Sequence, residues 1–384
     1  MKQKIILFFI TILQSTLLYI SYYFFLLLKK YIKKSKFVIG TYEIANNIYY
    51  IGKTLENSKT VCLKKSKYYS NKYDYFININ NQYLERIYRV FYGPLLLGYL
   101  TNKADIFFYI WTTGFLWDRK YDYKFLKSKN KKIVCFFVGD DIRSLKLQKD
   151  HEKKYFIDNI STYSNEGKNI YSDENFKKYT ALITDRHVDL IFNNKFEQKS
   201  YLKSKQYRWR YILNKNLFFK NDSKFKKLKT INVLHAFSNP NAKGTPLIRA
   251  AIKKLQLEGY KFNYIELNSR NNKTVLRNLK SSHIVLNQFY ASAPGLFGIE
   301  AMANHCAVMM SAESSLLIPN LKLKKNIWLE TKYWQIYDNL KFLFKYPEKI
   351  KLYADNGYDF ALKYFNNEAV REYLNKLFRS KNIL

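Results

Sequence analysis

Ile231-Asn-Val-Leu-His-Ala-Phe-Ser-Asn-Pro-Asn-Ala-Lys-Gly-Thr245 holds the clearest punctuation in this sequence. Its opening residues, 231–235, form an apolar run of strand length. A polar loop follows, and the loop leads into a helix with distinct start and stop signals. Thr245 is a good N-cap, Pro246 suits the first helical position, and Gly259 ends the helix. Leu247, Ile248, Ala251, Ile252 and Leu255 recur at helical spacing and define a buried face. Strand, loop and helix then repeat downstream. Strands are expected over 262–267, 283–286 and 307–310, and helices include 275–279 and 296–303. The remainder reads as mainly helical.

Upstream the same alternation holds. Residues 37–40 form a short strand leading to a helical stretch over 42–55, and further strands are expected over 104–110, 132–138 and 188–192. Near-continuous apolar strands alternating with helices indicate parallel sheets covered on both faces, the α/β class. The charge-rich stretch 220–229 breaks the pattern and reads as a boundary. The expectation is two doubly wound, Rossmann-like domains, 37–219 and 230–384, facing a cleft, with ligands at the carboxyl ends of the strands.

Composition narrows the class of function. The chain has 384 residues, 47% of them hydrophobic and 18% aromatic, far too apolar for a disordered protein. Three cysteines, Cys62, Cys135 and Cys306, are too few and too scattered for a disulfide framework and fit a reducing compartment. The formal charge of +36 invites a nucleic-acid reading. Only 12 of the 66 basic residues are Arg, however, and no recognition module is visible, so no nucleic-acid partner is expected. The abundance of Lys, Asn, Ile, Tyr and Phe matches an AT-rich coding sequence, which accounts for part of the excess.

Residues 5–28 carry no charge. As a helix, 24 residues reach roughly 36 Å, enough for a hydrocarbon core of about 30 Å. The stretch is longer than the apolar part of a signal peptide and lacks a small-residue cleavage site. It reads as a single-pass transmembrane anchor. Lys29, Lys30, Lys33, Lys34 and Lys36 follow it, against Lys2 and Lys4 before it, which places the bulk of the chain in the cytoplasm on the membrane face.

Two stretches could carry chemistry. In the first, the loop and helix start around Lys243 offer backbone N–H groups and a positive charge to a phosphate or diphosphate. Lys243 is also one of 54 lysines, and on composition alone a solvated loop is the better account of it. The second is Asn287-Gln-Phe-Tyr-Ala-Ser-Ala-Pro-Gly-Leu-Phe-Gly-Ile-Glu-Ala-Met-Ala303. Here a strand ends, a Pro-Gly turn follows, and Glu300 lies within an apolar helix, where a lone carboxylate is costly to bury. It either pairs with a Lys or accepts hydrogen bonds from the hydroxyls of a ligand.

In this order and spacing, the two stretches resemble the donor-binding half of retaining GT-B-fold glycosyltransferases of the "glycosyl transferases group 1" type. Gly40-Thr-Tyr-Glu-Ile-Ala45 is similar to that family's first strand-to-helix turn, and Asp105-Ile-Phe-Phe with 132–143 to its acceptor-side strands. The resemblance implies a membrane-anchored, metal-independent hexosyltransferase-like enzyme with no cofactor. It would move a sugar from a nucleotide-sugar donor to a glycan or lipid-linked acceptor, as in polysaccharide biosynthesis. Glu300 would hold the ribose hydroxyls, and Lys243 with the amides of Gly295 and Leu296 would neutralise the diphosphate leaving group. Ser292 would face the sugar, Gly40 would admit the diphosphate from the other domain, and Asp141 is a candidate for polar duty on the acceptor side. Four positions depart from the family pattern: Ser292 in place of a Glu, Pro240 of a basic residue, Val138 of an active-site His, and His305 of a Gly. The alternative they leave open is a catalytically silent relative that binds a nucleotide sugar or a partner enzyme at the membrane.

Overall fold

The computed structural model describes residues 2–63, 71–77, 79, 81–158, 172–226, 228, 230–318 and 326–384, with the side chains of 2–4 and 82 excepted. It divides into two compact units. The first comprises 1–144, 169–209 and 371–384; the second comprises 145–168 and 210–370.

The first unit opens with α1 (Lys2–Leu27), a 26-residue helix with no acidic residue in its first turn. Then come β1 (Phe37–Thr41), α2 (Asn47–Thr54), β2 (Ser58–Cys62), β3 (Tyr75–Phe76), α3 (Gln82–Lys103), β4 (Ile106–Ile110), α4 (Arg119–Ser128) and β5 (Lys132–Phe136). The chain passes through α5 (Leu145–Tyr155) in the second unit and returns for α6 (Glu174–His187), β6 (Leu190–Phe192) and β7 (Gln206–Tyr207). The seven strands are parallel, in the order β3-β2-β1-β4-β5-β6-β7. Every residue of β1 and β4 is buried, as an all-parallel sheet covered on both faces requires. The predicted strands here hold to within two residues. β2, β3 and β7 escape the sequence pattern because they lie towards the sheet edges, where few residues need be apolar. The helix expected over 42–55 starts only at Asn47, because Ala45 and Asn46 take left-handed backbone (φ 49° and 63°).

The second unit contains β8 (Ile231–Phe237), α7 (Pro240–Lys243), α8 (Thr245–Leu257), β9 (Phe262–Asn268), α9 (Asn272–Ser281), β10 (Ile284–Leu286), α10 (Gly295–Ala303) and β11 (Ala307–Met310). It continues with α11 (Ser314–Leu317), β12 (Leu329–Glu330), α12 (Ile336–Lys345), α13 (Pro347–Tyr364) and α14 (Asn367–Ser380). Its five strands are also parallel, in the order β12-β11-β10-β8-β9. Of the charge-rich stretch 220–229, residues 227 and 229 lie outside the described residues. The carboxyl-terminal part of α14 packs in the first unit. Phe378 meets Phe37 and Phe192 at ring distances of 5.9 and 6.4 Å, and the Arg371 guanidinium donates to the Thr54 carbonyl at 2.7 Å. Apolar rings of the first sheet and hydrogen-bond acceptors at the end of α2 hold these last residues there, away from the 230–384 grouping that strand alternation suggests.

Phe25 packs its ring on Tyr99 of α3 at 4.7 Å, and Tyr19 and Tyr22 of α1 present edges to Phe125 of α4. Helix α1 is long and apolar enough to span a membrane by length and composition. One aromatic cluster lies in this unit: Phe108, Phe136 and Phe192 surround Trp209, the closest ring stacking on it at 4.1 Å.

Candidate functional site

The second unit gathers most of the predicted residues at the carboxyl ends of β8 and β10. After β8, the Asn239 side chain accepts the Ala242 N–H (3.2 Å) and starts the single turn α7, which ends at Lys243. Gly244 then takes φ +76° and caps α8, one residue earlier than Thr245. Thr245 is occupied elsewhere. Its hydroxyl lies 2.9 Å from Nε2 of His235, whose Nδ1 lies 2.7 Å from the Leu286 carbonyl. Since a carbonyl only accepts, Nδ1 carries the proton and Nε2 accepts from Thr245. Burial pushes this imidazole down to about 4, so it stays neutral and ties β8 to β10.

The Lys243 ammonium donates to the side-chain oxygen of Gln288, and the Gln288 amide nitrogen donates to the Ala293 carbonyl. The loop 288–294, which carries Ser292, is thereby fastened beside Lys243. Ser311 adds a further tie, its hydroxyl 2.6 Å from the Ala291 carbonyl. Asn287 donates to the Pro294 carbonyl at 2.7 Å, and α10 begins immediately afterwards. Lys243, Ser292, Gly295 and Leu296 are all partly exposed.

Glu300 is buried in α10, 4% exposed. Its described partner is Asn272 at the start of α9, whose amide donates to Oε1 at 3.0 Å. No Lys pairs with it among the described residues. Burial raises its pKa to about 7, only partly offset by that hydrogen bond. The structure thus brings Lys243, Ser292, Gly295 and Leu296 together around Gln288, and sets Glu300 deeper in the same helix, facing Asn272. Gln288 and Asn272 were not singled out from sequence. The only available signal was their place, one just past a strand and the other at a helix start.

Gly40 and Asp141 lie in the first unit. A Cβ on Gly40 would sit 2.8 Å from the Val61 carbonyl oxygen, so close packing of β1 on β2 already demands glycine there. Asp141 is fully buried and accepts the N–H groups of Val138 and Gly139 (3.0 and 2.7 Å). It closes the turn after β5; burial lifts its pKa to about 6 against the pull of these N–H groups. Arg143 pairs with the exposed Asp140 at 3.5 Å.

A cavity of about 670 Å³ also belongs to this unit. The amino-terminal half of α1 (Leu7, Phe8, Ile12) forms one wall, and Thr112, just beyond β4, with Trp117 and Tyr179 forms the other. A second hollow of about 420 Å³, reached by Arg86 and Arg89, shares Thr112, Trp117 and Phe176 with it. Sequence reading missed this place entirely, because nothing marks an apolar helix as the wall of a cavity.

Among the described residues, the ligand atoms of Asp222, His305 and Asp355 converge within 4.8 Å. The Lys351 ammonium already bridges the two carboxylates at 2.9 and 2.7 Å, and His305 donates to Asp355 at 2.7 Å. This is an ion-pair cluster that fastens the turn after α10, where His305 takes φ +59°.

No protein-family model matches the chain, and no curated protein sequence matches it. Solved structures do. Sucrose-phosphate synthase from Thermosynechococcus elongatus superposes with a TM-score of 0.58 at 12% identity, over 91% of this chain and 98% of that one. HepE of Anabaena, solved with UDP-glucose, gives 0.52 at 11%, over 90% and 99%. WaaG, a glycosyltransferase of lipopolysaccharide biosynthesis, gives 0.50 at 10%, over 85% and 95%. At such identities the likeness defines the fold. The chain has the α/β fold with two parallel sheets found in GT-B glycosyltransferases.

Proposed function

We propose that this chain is a retaining glycosyltransferase, moving a sugar from a nucleotide-sugar donor to a glycan or lipid-linked acceptor at the cytoplasmic face of a membrane. The observation that carries the reading is the meeting of Lys243, the Gln288 loop and the start of α10 at the ends of β8 and β10. A diphosphate there receives the ammonium and the first N–H groups of α10, at Gly295 and Leu296. Charge grows on that diphosphate as the glycosidic bond breaks, so donors already in place lower the barrier without a metal ion. Glu300 accepts the ribose hydroxyls, which supply the hydrogen bonds its buried carboxylate otherwise lacks. The structural neighbour HepE, solved with UDP-glucose, supports this class of donor. The cavity beside α1, lined by apolar Leu7, Phe8 and Ile12 together with the hydroxyls of Thr11, Ser15, Thr112 and Tyr179, suits an acceptor that joins a lipid tail to a polar head.

The test is nucleotide release from a panel of nucleotide sugars offered with glycan and lipid-linked acceptors. Lys243→Ala and Glu300→Ala are each expected to lower the rate ten-fold or more, and chelation by EDTA to leave it unchanged. Equal rates in both variants would remove the site assignment. Donor binding without turnover would favour the silent relative.

A further inference from the structure

Helix α1 is fixed lengthwise to the first unit. Gln14, 3% exposed, donates to the Val90 carbonyl (3.2 Å) and accepts the Trp117 N–H (2.9 Å). One and two turns further along, Leu18 is buried, Ser21 donates to the Leu95 carbonyl (2.6 Å), and Asn102 donates to the Tyr22 carbonyl (2.9 Å). The partners advance together along both chains, so α1 and α3 run parallel, side by side. They touch closely: a Cβ on Gly98 would lie 2.7 Å from the Tyr22 nitrogen. The link beyond α1 has no slack either. Lys103 donates to the Lys33 carbonyl and Lys34 to the Asn102 carbonyl, at 2.6 and 2.7 Å.

The opposite side of α1 is bare and apolar along its length, with Phe9 63%, Ile20 60% and Leu27 82% exposed. α3 adds exposed Leu84, Ile87, Tyr88 and Phe91 at helical spacing. An apolar surface of this extent calls for an occupant. Placing α1 across a bilayer would carry α3 and α4 into hydrocarbon with it. Those helices bear Arg86, Arg89 and Lys120 at least partly exposed, and a charge facing lipid at mid-bilayer costs about 2.5–3.5 kcal/mol even on the gentlest scale. Undocking α1 would instead strip the buried Gln14 and Ser21 of their partners.

We infer that α1 lies flat on an anionic lipid leaflet, its bare face among the upper acyl chains, as a one-sided contact and not a span. Charge complementarity selects this occupant. Lys2 and Lys4 precede the helix, and Lys29, Lys30, Lys33, Lys34 and Lys36 follow it. Lying flat brings both basic ends to headgroups of the same leaflet, each Lys that reaches them contributing about 1 kcal/mol, with Lys34 not counted because the Asn102 carbonyl holds it. The inference does not depend on the donor chemistry, and either can fail alone.

The three native cysteines are buried, so single cysteines can be labelled in the full chain. Spin labels at Ile6, Leu13, Ile20 and Leu27 would be measured for depth on vesicles of phosphatidylcholine containing 30% phosphatidylglycerol. The expected result is one shallow depth for all four, roughly 5–10 Å below the headgroups. Binding is also expected to weaken at least ten-fold on pure phosphatidylcholine, and in the doubly substituted Phe9→Glu, Ile20→Glu chain with its circular dichroism unchanged. A depth profile that is deepest at Leu13 and shallow at both ends would establish a span and overturn the inference. Failure to bind anionic vesicles, with the labels immobilised by a second copy of the chain or another protein, would overturn it in favour of a protein contact.

Discussion

Glu300 shows how one buried carboxylate couples folding to ligand recognition. Its pKa rises from the ordinary 4.5 to about 7 because burial penalises the charged form. The folded chain therefore holds this proton more tightly than the unfolded chain. The stability it supplies is fully present below about pH 4.5 and is lost as pH rises through 7. Glu300→Gln keeps an acceptor for Asn272 and removes the charge. It is expected to be more stable than the native chain at pH 8, on the order of 2 kcal/mol, and equal to it near pH 5. Denaturant unfolding at the two pH values checks this, and donor affinity should fall in the same variant. Glu300 was legible in sequence because an acid in an apolar helix is rare by type, and Lys243 because of its place in a loop before a capped helix. Gln288 and Asn272 were not, since amides are common in this chain and only neighbours in space give these two a task. Gly40 misleads in the other direction: its glycine is explained by Val61 alone.

Elements were read most securely where burial on both faces leaves little choice of residue. β4 and β11 come out of the sequence almost to the residue, whereas β2, half-buried, does not. Long-range packing decides more than periodicity does. Nothing in the amphipathic pattern of α14 says which sheet its last turns cover, yet Leu374 and Phe378 are completely buried and Phe378 meets rings of the first unit. Phe378→Ala is expected to cost about 3–5 kcal/mol. The loss should appear first in the first unit, as faster proteolysis at sites within 37–144 than within 230–318. Equal acceleration in both would mean that the two units unfold as one.

At the scale of the whole molecule, +36 charges and several buried acids pull the pH optimum in opposite directions. Glu43, Asp122 and Glu300 are each raised to about 7 and Asp141 to about 6, all chiefly by burial. Each loses its contribution as pH rises through these values. Asp74 and Asp355, held low by Lys59 and Lys351, lose theirs as pH falls into the acid range, where repulsion between the unpaired lysines also grows. The melting temperature is therefore expected to peak near pH 6 and to drop by several degrees at pH 8. Raising salt from 0.05 to 0.5 M should increase it at either pH by screening the excess charge. A melting temperature that rises steadily to pH 8 would contradict the assignment of the buried acids.

Sequence alone determined the α/β class, the positions of the buried strands along the chain and the two segments from which the donor site is proposed. Those properties rest on local periodicity and on residue types that tolerate few environments. Tertiary structure decided the partners: Gln288 with Lys243, Asn272 with Glu300, Gly40 with Val61, and the end of α14 with the first sheet. It also showed that the helix formed by those 24 uncharged residues packs along α3. Hydropathy counts what a helix is made of, and only packing shows which of its sides is already taken.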